Sequence, residues 1–189
     1  TYNLGKSMRK TIEFSNLVIK FGKNGLLDSF ERRFWPLLTG EIKIKRGELL
    51  GYRFLSRKLA VYDGDVYLYG RLLKNLDLKA RQRWNDLRGL YDTDATLSSD
   101  VSSVFFLRLH DHKLIIIPEQ PRSPKPSEFK SVFRKILEDD WRRQYKNAVD
   151  KYLRERGRKN FVKNERSEFS KKFEKEYPFP SVEVKPIGS

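Results

Sequence analysis

Apolar and polar positions alternate in short runs along the first part of the chain, then change to steps of three and four. Residues 10–21 (KTIEFSNLVIKF) mix β-branched and aromatic side chains with polar ones in this alternation, which predicts a half-buried strand. The cluster Gly22, Lys23, Asn24 and Gly25 ends it. Leu26, Leu27, Phe30, Phe34 and Leu37 have helical spacing, so a helix is expected over 26–38, with Pro36 limiting its length. Segments 41–45 and 52–55 read as strands.

The sharpest local signal is 58–72 (KLAVYDGDVYLYGRL), where two alternating runs flank Asp63-Gly64. That dipeptide tolerates the positive φ angles of a type I′ turn, so a β-hairpin is predicted. A second hairpin is expected where 104–109 meets 113–117, with His110, Asp111 and His112 at the turn. Between the hairpins, 76–91 (LDLKARQRWNDLRGLY) reads as a short polar helix or an irregular basic segment, and 92–103 as a loop.

After Ile117 comes PEQPRSPKP, four prolines in nine residues, a stiff extended connector. Ser127 is the expected N-cap of the next helix, with Glu128 favourable in its first turn. Phe129, Val132, Phe133, Ile136, Leu137, Trp141, Tyr145, Val149, Tyr152 and Leu153 then form one apolar side, and Gly157 is the natural stop. A rod of about 45 Å results, too long for one small sheet to cover, so its distal half is expected to project or to be covered by another chain. Residues 158–177 continue as a charged helix-like stretch with Phe161, Phe169 and Phe173 on a thin apolar side, and 181–187 reads as a last strand. The expected fold is α+β, an antiparallel sheet built from hairpins followed by a long C-terminal helix with a basic extension. Its parts are a β-rich core over 1–117, a connector over 118–126 and a helical region over 127–189, in a chain that reads as a segment of a longer protein.

Charge turns this outline toward function. Forty Lys and Arg stand against twenty-five Asp and Glu, a formal +15, with a pI near 9.9. Such a field attracts polyanions, so the expected partner is nucleic acid, DNA or RNA, gripped by phosphate contacts. One basic group lies on the long helix and its extension: Arg134, Lys135, Arg142, Arg143, Lys146, Arg154, Arg156, Arg158, Lys159 and Lys163, interleaved with Trp141, Tyr145 and Tyr152. The opposing reading is a solvated face, since Glu138, Asp139, Asp140, Asp150 and Glu155 can pair with these cations. A second group surrounds the first hairpin: Arg53, Arg57, Lys58, Arg71, Lys74, Lys79, Arg81, Arg83 and Arg88, with Trp84 and tyrosines available for base stacking.

Catalytic candidates are few. Glu41-Ile42-Lys43 on a strand, with Asp28 upstream, resembles the Asp and Glu-x-Lys set of restriction-endonuclease-like sites. There the carboxylates would hold Mg²⁺ and the lysine would polarise the attacking water. Glu183-Val184-Lys185 repeats the three-residue pattern, showing how readily an exposed strand produces it. His110 and His112 beside Asp111 suit a solvent-exposed turn better than a metal site. No cysteine is present, which removes disulfides, thiolate metal sites and Cys nucleophiles and fits a cytoplasmic setting. No cofactor is expected, nor insertion into a membrane, and homo-oligomerisation through the long helix is a third reading besides nucleic-acid binding and a Mg²⁺-dependent nuclease.

The run FFLRLHDHKLIII, the Pro-containing link, PSEFKSVFRKIL and the later SVEVKPI together resemble the layout of bacterial phage-exclusion and antiphage defence proteins of the Rex A and Kiwa B type. The resemblance covers about the second half of the chain and rests on apolar positions. It implies DNA binding in a defence setting and assigns no individual residue a role.

Overall fold

The computed structural model describes residues 11–26, 30–38, 41–46, 48–85 and 89–187; for 41, 43, 45, 46, 48–50, 76–85 and 89–99 it describes the backbone. Strand β1 (Glu13–Phe21) turns into the two-residue β2 (Asn24–Gly25). Strands β3 (Glu41–Arg46), β4 (Glu48–Tyr62), β5 (Asp65–Asn85), β6 (Gly89–Arg108) and β7 (Lys113–Pro118) follow as a meander. Helix α1 (Pro126–Glu155), helix α2 (Glu165–Glu176) and strand β8 (Pro180–Pro186) complete the chain. Every pairing is antiparallel, in the order β3-β4-β5-β6-β7-β1, and β8 lies along the remaining side of β1. The α+β class and the long helix therefore stand as the sequence predicts. No helix among the described residues is long and apolar enough to cross a membrane.

The pleat sends alternate residues to opposite faces, and one face is covered. Leu17, Ile19 and Phe21 of β1, Tyr52 and Phe54 of β4, Leu68 and Leu72 of β5, Phe105 and Leu107 of β6, and Leu114 and Ile116 of β7 are buried there. Phe129, Val132, Phe133, Ile136 and Leu137 from the first half of α1 fill the space opposite them. The helix touches β3 near one edge of the sheet and β8 at the other, so the sheet curls around it. Phe133 sits at the centre, with ring centroids 5.2 Å from Phe34 and 5.3 Å from Phe54.

Turn chemistry fixes the hairpins. Asp63 and Gly64 take φ of 50° and 78°, the left-handed pair that a type I′ turn requires. The second hairpin turns at His110, Asp111 and His112, with His112 at φ 61°. There Arg108 Nε donates to Asp111 Oδ1 at 2.7 Å and holds the turn closed.

Four expectations need correction. Residues 26–38 do not form one α-helix: a wide helical turn (Phe30–Phe34) runs into a tight one (Trp35–Leu38). Pro36 lacks the N–H that a continuing helix needs; Phe30 and Phe34 are buried at the expected helical steps, but Leu38 takes the next buried position in place of Leu37. Residues 76–85, 89–91 and 92–103 are neither helix nor loop. Where described, they extend β5 and β6 into a long two-stranded ribbon, paired from Leu76↔Ser99 out to Asn85↔Gly89. Pairing between the two strands overrides the local polarity. The N-cap of α1 is Lys125, two residues before Ser127, because Pro126 suits the first helical position and Glu128 Oε2 accepts the Lys125 backbone N–H at 3.0 Å. Finally, the distal half of α1 is covered within the same chain, by α2.

Candidate nucleic-acid interface

Beyond Asp140 no residue of α1 is fully buried, and the apolar side continues as a row of half-buried aromatics. Gly157, at φ 62°, stops the helix, and the Arg158 N–H closes its end by donating to the Leu153 carbonyl at 3.0 Å. The chain reverses over 158–164 and α2 returns alongside α1. Tyr152 packs on Phe161 and Phe169 at 5.6 and 4.9 Å between ring centroids, Tyr145 on Phe173 at 5.2 Å, and Trp141 on Phe173 and Phe179 at 5.6 and 5.1 Å. Each polar tip has a partner, as buried Tyr and Trp require. Trp141 Nε1 donates to the Tyr177 carbonyl at 2.9 Å, Tyr145 shares a hydrogen bond with Ser170 at 2.7 Å, and the Tyr152 hydroxyl donates to Glu165 Oε1 at 2.7 Å. The aromatics interleaved with the helix cations thus hold a helical hairpin together.

Glu165 organises the turn. Its carboxylate accepts the Val162 N–H at 2.9 Å and lies 3.6 Å from Arg158 and 3.8 Å from Arg156. The Val162 N–H and the Tyr152 hydroxyl, aided by the two guanidinium groups, hold its pKa below the ordinary carboxylate value. At the base of the hairpin, the Arg33 guanidinium lies 4.2 Å from the Phe21 ring and 3.7 Å from the Tyr177 ring. The Tyr177 hydroxyl donates to buried Asp140 of α1 at 3.0 Å, which ties the end of α2 to α1.

The cations of this region divide into two sets. Arg134 pairs with Glu138, Lys135 with Asp139, Arg143 with Asp140, and Arg156 and Arg158 with Glu165. Arg142, Lys146, Arg154, Lys159 and Lys163 are exposed and make no ion pair among the described residues. Lys146, Lys159 and Lys163 line a cleft of about 630 Å³ between α1 and the turn that leads into α2. Tyr145, Val149, Leu153 and Phe161 give it an apolar floor, while Lys146, Lys159, Lys163 and Arg166 supply four positive charges against one acid, Asp150. A phosphate there meets several mobile donors at once, and an apolar floor suits a base or sugar.

The second basic group is dispersed. Arg71 Nε donates to both oxygens of Glu119, at 3.2 and 3.1 Å. Lys74 faces α1 and lies 2.7 Å from Glu128, which also accepts from the Tyr52 hydroxyl at 2.8 Å. Burial opposes ionisation of Glu128, but the bonds from Lys74, Tyr52 and the Lys125 N–H outweigh it and hold its pKa below the ordinary 4.5. Lys79, Arg81 and Arg83 belong to β5 in the ribbon with their side chains outside the description, and Arg88 lies outside the described residues altogether. The same holds for Asp28, whereas Glu41 and Lys43 are placed by backbone only, on edge strand β3. Trp84, the indole read as a stacking group, is likewise placed by backbone only.

The histidine turn is engaged structurally. Arg108 holds Asp111 ionised, and burial lowers the pKa of His112, whose Nδ1 is enclosed without a hydrogen-bond partner among the described residues. Among the described residues no group of three or more His, Asp or Glu is placed to hold a metal ion. No protein-family model, curated protein or solved structure matches the chain.

Proposed function

We propose that the protein binds nucleic acid, DNA or RNA, through phosphate contacts made by the helical hairpin. The observation that carries this reading is a set of exposed cations on the distal hairpin: Arg142, Lys146, Arg154, Lys159 and Lys163 make no ion pair among the described residues, and Lys146, Lys159 and Lys163 line an open cleft. Counterion release on phosphate binding supplies affinity without sequence readout. The net charge of +15 adds attraction at longer range, and the absence of cysteine supports a cytoplasmic setting. A role in defence against phage is the setting that the resemblance in the second half of the chain favours.

The test is an anisotropy titration of a labelled oligonucleotide at several salt concentrations. Five phosphate contacts predict a loss of affinity of about a hundredfold or more between about 50 and 200 mM salt. Affinity independent of salt would remove the phosphate contacts and the proposal with them.

A further inference from the structure

The face of the sheet turned away from α1 carries a row of side chains, in register across five strands, that the helix does not cover. Phe14 pairs with Ile115, Ile115 with Phe106, Phe106 with Tyr69, and Tyr69 with Lys58. Ile117 and Val104 continue the apolar surface in the adjoining row, and Phe14 is 53% exposed. Tyr69 and Phe106 lie with ring planes 16° apart and centroids at 6.0 Å, half-buried by each other and open outward.

The charges around this row select its occupant. Acids of the surrounding face are already engaged: Glu119 by Arg71, Asp65 and Asp111 by Arg108, and Glu183 by Lys185. Lys20, Arg53, Lys58 and Lys113 make no ion pair among the described residues. Aromatic rings side by side on a sheet, bordered by cations without an ion pair among the described residues, suit a chain that is anionic along its backbone and carries flat apolar bases. Duplex bases are stacked inside and cannot reach the rings, so only unpaired bases fit.

We infer that the open sheet face binds single-stranded nucleic acid, with bases stacked on Tyr69 and Phe106 and phosphates near Lys58 and Lys113. This rests on the nucleic-acid reading above and adds the strand state of the ligand.

The probes are labelled oligothymidylate and an abasic oligonucleotide of equal length and charge, titrated against the full chain. Stacking predicts at least about a tenfold preference for the base-bearing strand. In the double variant Tyr69→Leu with Phe106→Leu, the preference disappears while abasic binding stays. Leucine keeps the surface apolar, and thermal unfolding shows whether the variant is folded; should it fail to fold, Phe14→Leu in the same row replaces it, with a weakened preference expected. Equal affinity of the unaltered chain for both probes overturns stacking and leaves the phosphate reading standing. No binding to either overturns both. A preference that survives in the folded variant removes these rings from the site. A dimer by light scattering that the same substitutions dissociate makes the face an interface between copies and ends the proposal.

Discussion

The two halves of α1 are one continuous helix with opposite environments. Over Phe129–Asp140 the apolar side is sealed against a curled sheet, and Arg134 and Lys135 are paired one turn away with Glu138 and Asp139. Beyond Trp141 the apolar side meets α2 and the turn before it, through half-buried aromatic rings, and Arg142, Lys146 and Arg154 make no ion pair among the described residues, although Arg143 and Lys151 do. The difference teaches that helix length divides one element between two environments. A sheet can bury about half of a rod of this length, and the remainder holds its shape through a second helix while keeping its charge available.

Substitutions in the two halves should differ most in global stability. Phe133→Ala removes a ring with 0% exposure that touches Phe34 and Phe54, and should cost about 3–5 kcal/mol in urea unfolding. Tyr145→Ala should instead open the hairpin locally, raising amide exchange over 145–176 with the sheet still protected. Equal global losses from the two would erase the contrast.

A smaller effect is expected where α1 enters the sheet. Because the pKa of Glu128 is depressed on folding, its stabilisation is complete above the ordinary 4.5 and is lost as pH falls through the folded-state value. Glu128→Gln leaves the Lys74 ammonium, 13% exposed, without its counter-charge. The variant should therefore be less stable than the parent near neutrality, and the gap should close on acidification. A gap constant with pH would mean that charge is not what Glu128 contributes.

The smallest change belongs to the hairpin turn. Glu165→Gln weakens the acceptor for the Tyr152 hydroxyl, the Val162 N–H and two arginines at one exposed corner. Exchange over 156–165 should quicken with little movement of the global midpoint, and unchanged exchange would show that the aromatic contacts suffice.

Local signals made the hairpins and helices legible. Asp63-Gly64 demands its turn, and the three-and-four spacing from Phe129 to Leu153 demands its helix. The ribbon was hidden because polar residues dominate 76–91, although Leu76, Leu78 and Ala80 alternate with Asp77, Lys79 and Arg81 as a strand would. Lys74 shares the two-residue period of Leu72, which places it on the covered face beside Glu128; its charge alone suggested an outward position. The roles of Glu165 and Glu119 depend on contacts across turns and strands, which spacing along the chain does not encode.

The separation of paired from free cations is tested most directly by two charge-removal variants, compared by the slope of log affinity against log salt. Arg142, Lys146, Lys159 and Lys163 changed together to Gln should weaken binding and make the slope shallower by about three. Arg134 and Lys135 changed to Gln should leave the slope close to that of the parent, since both are already paired. Equal slopes in the parent and the fourfold variant, with affinity retained, would contradict the assignment of the hairpin as the phosphate-binding surface.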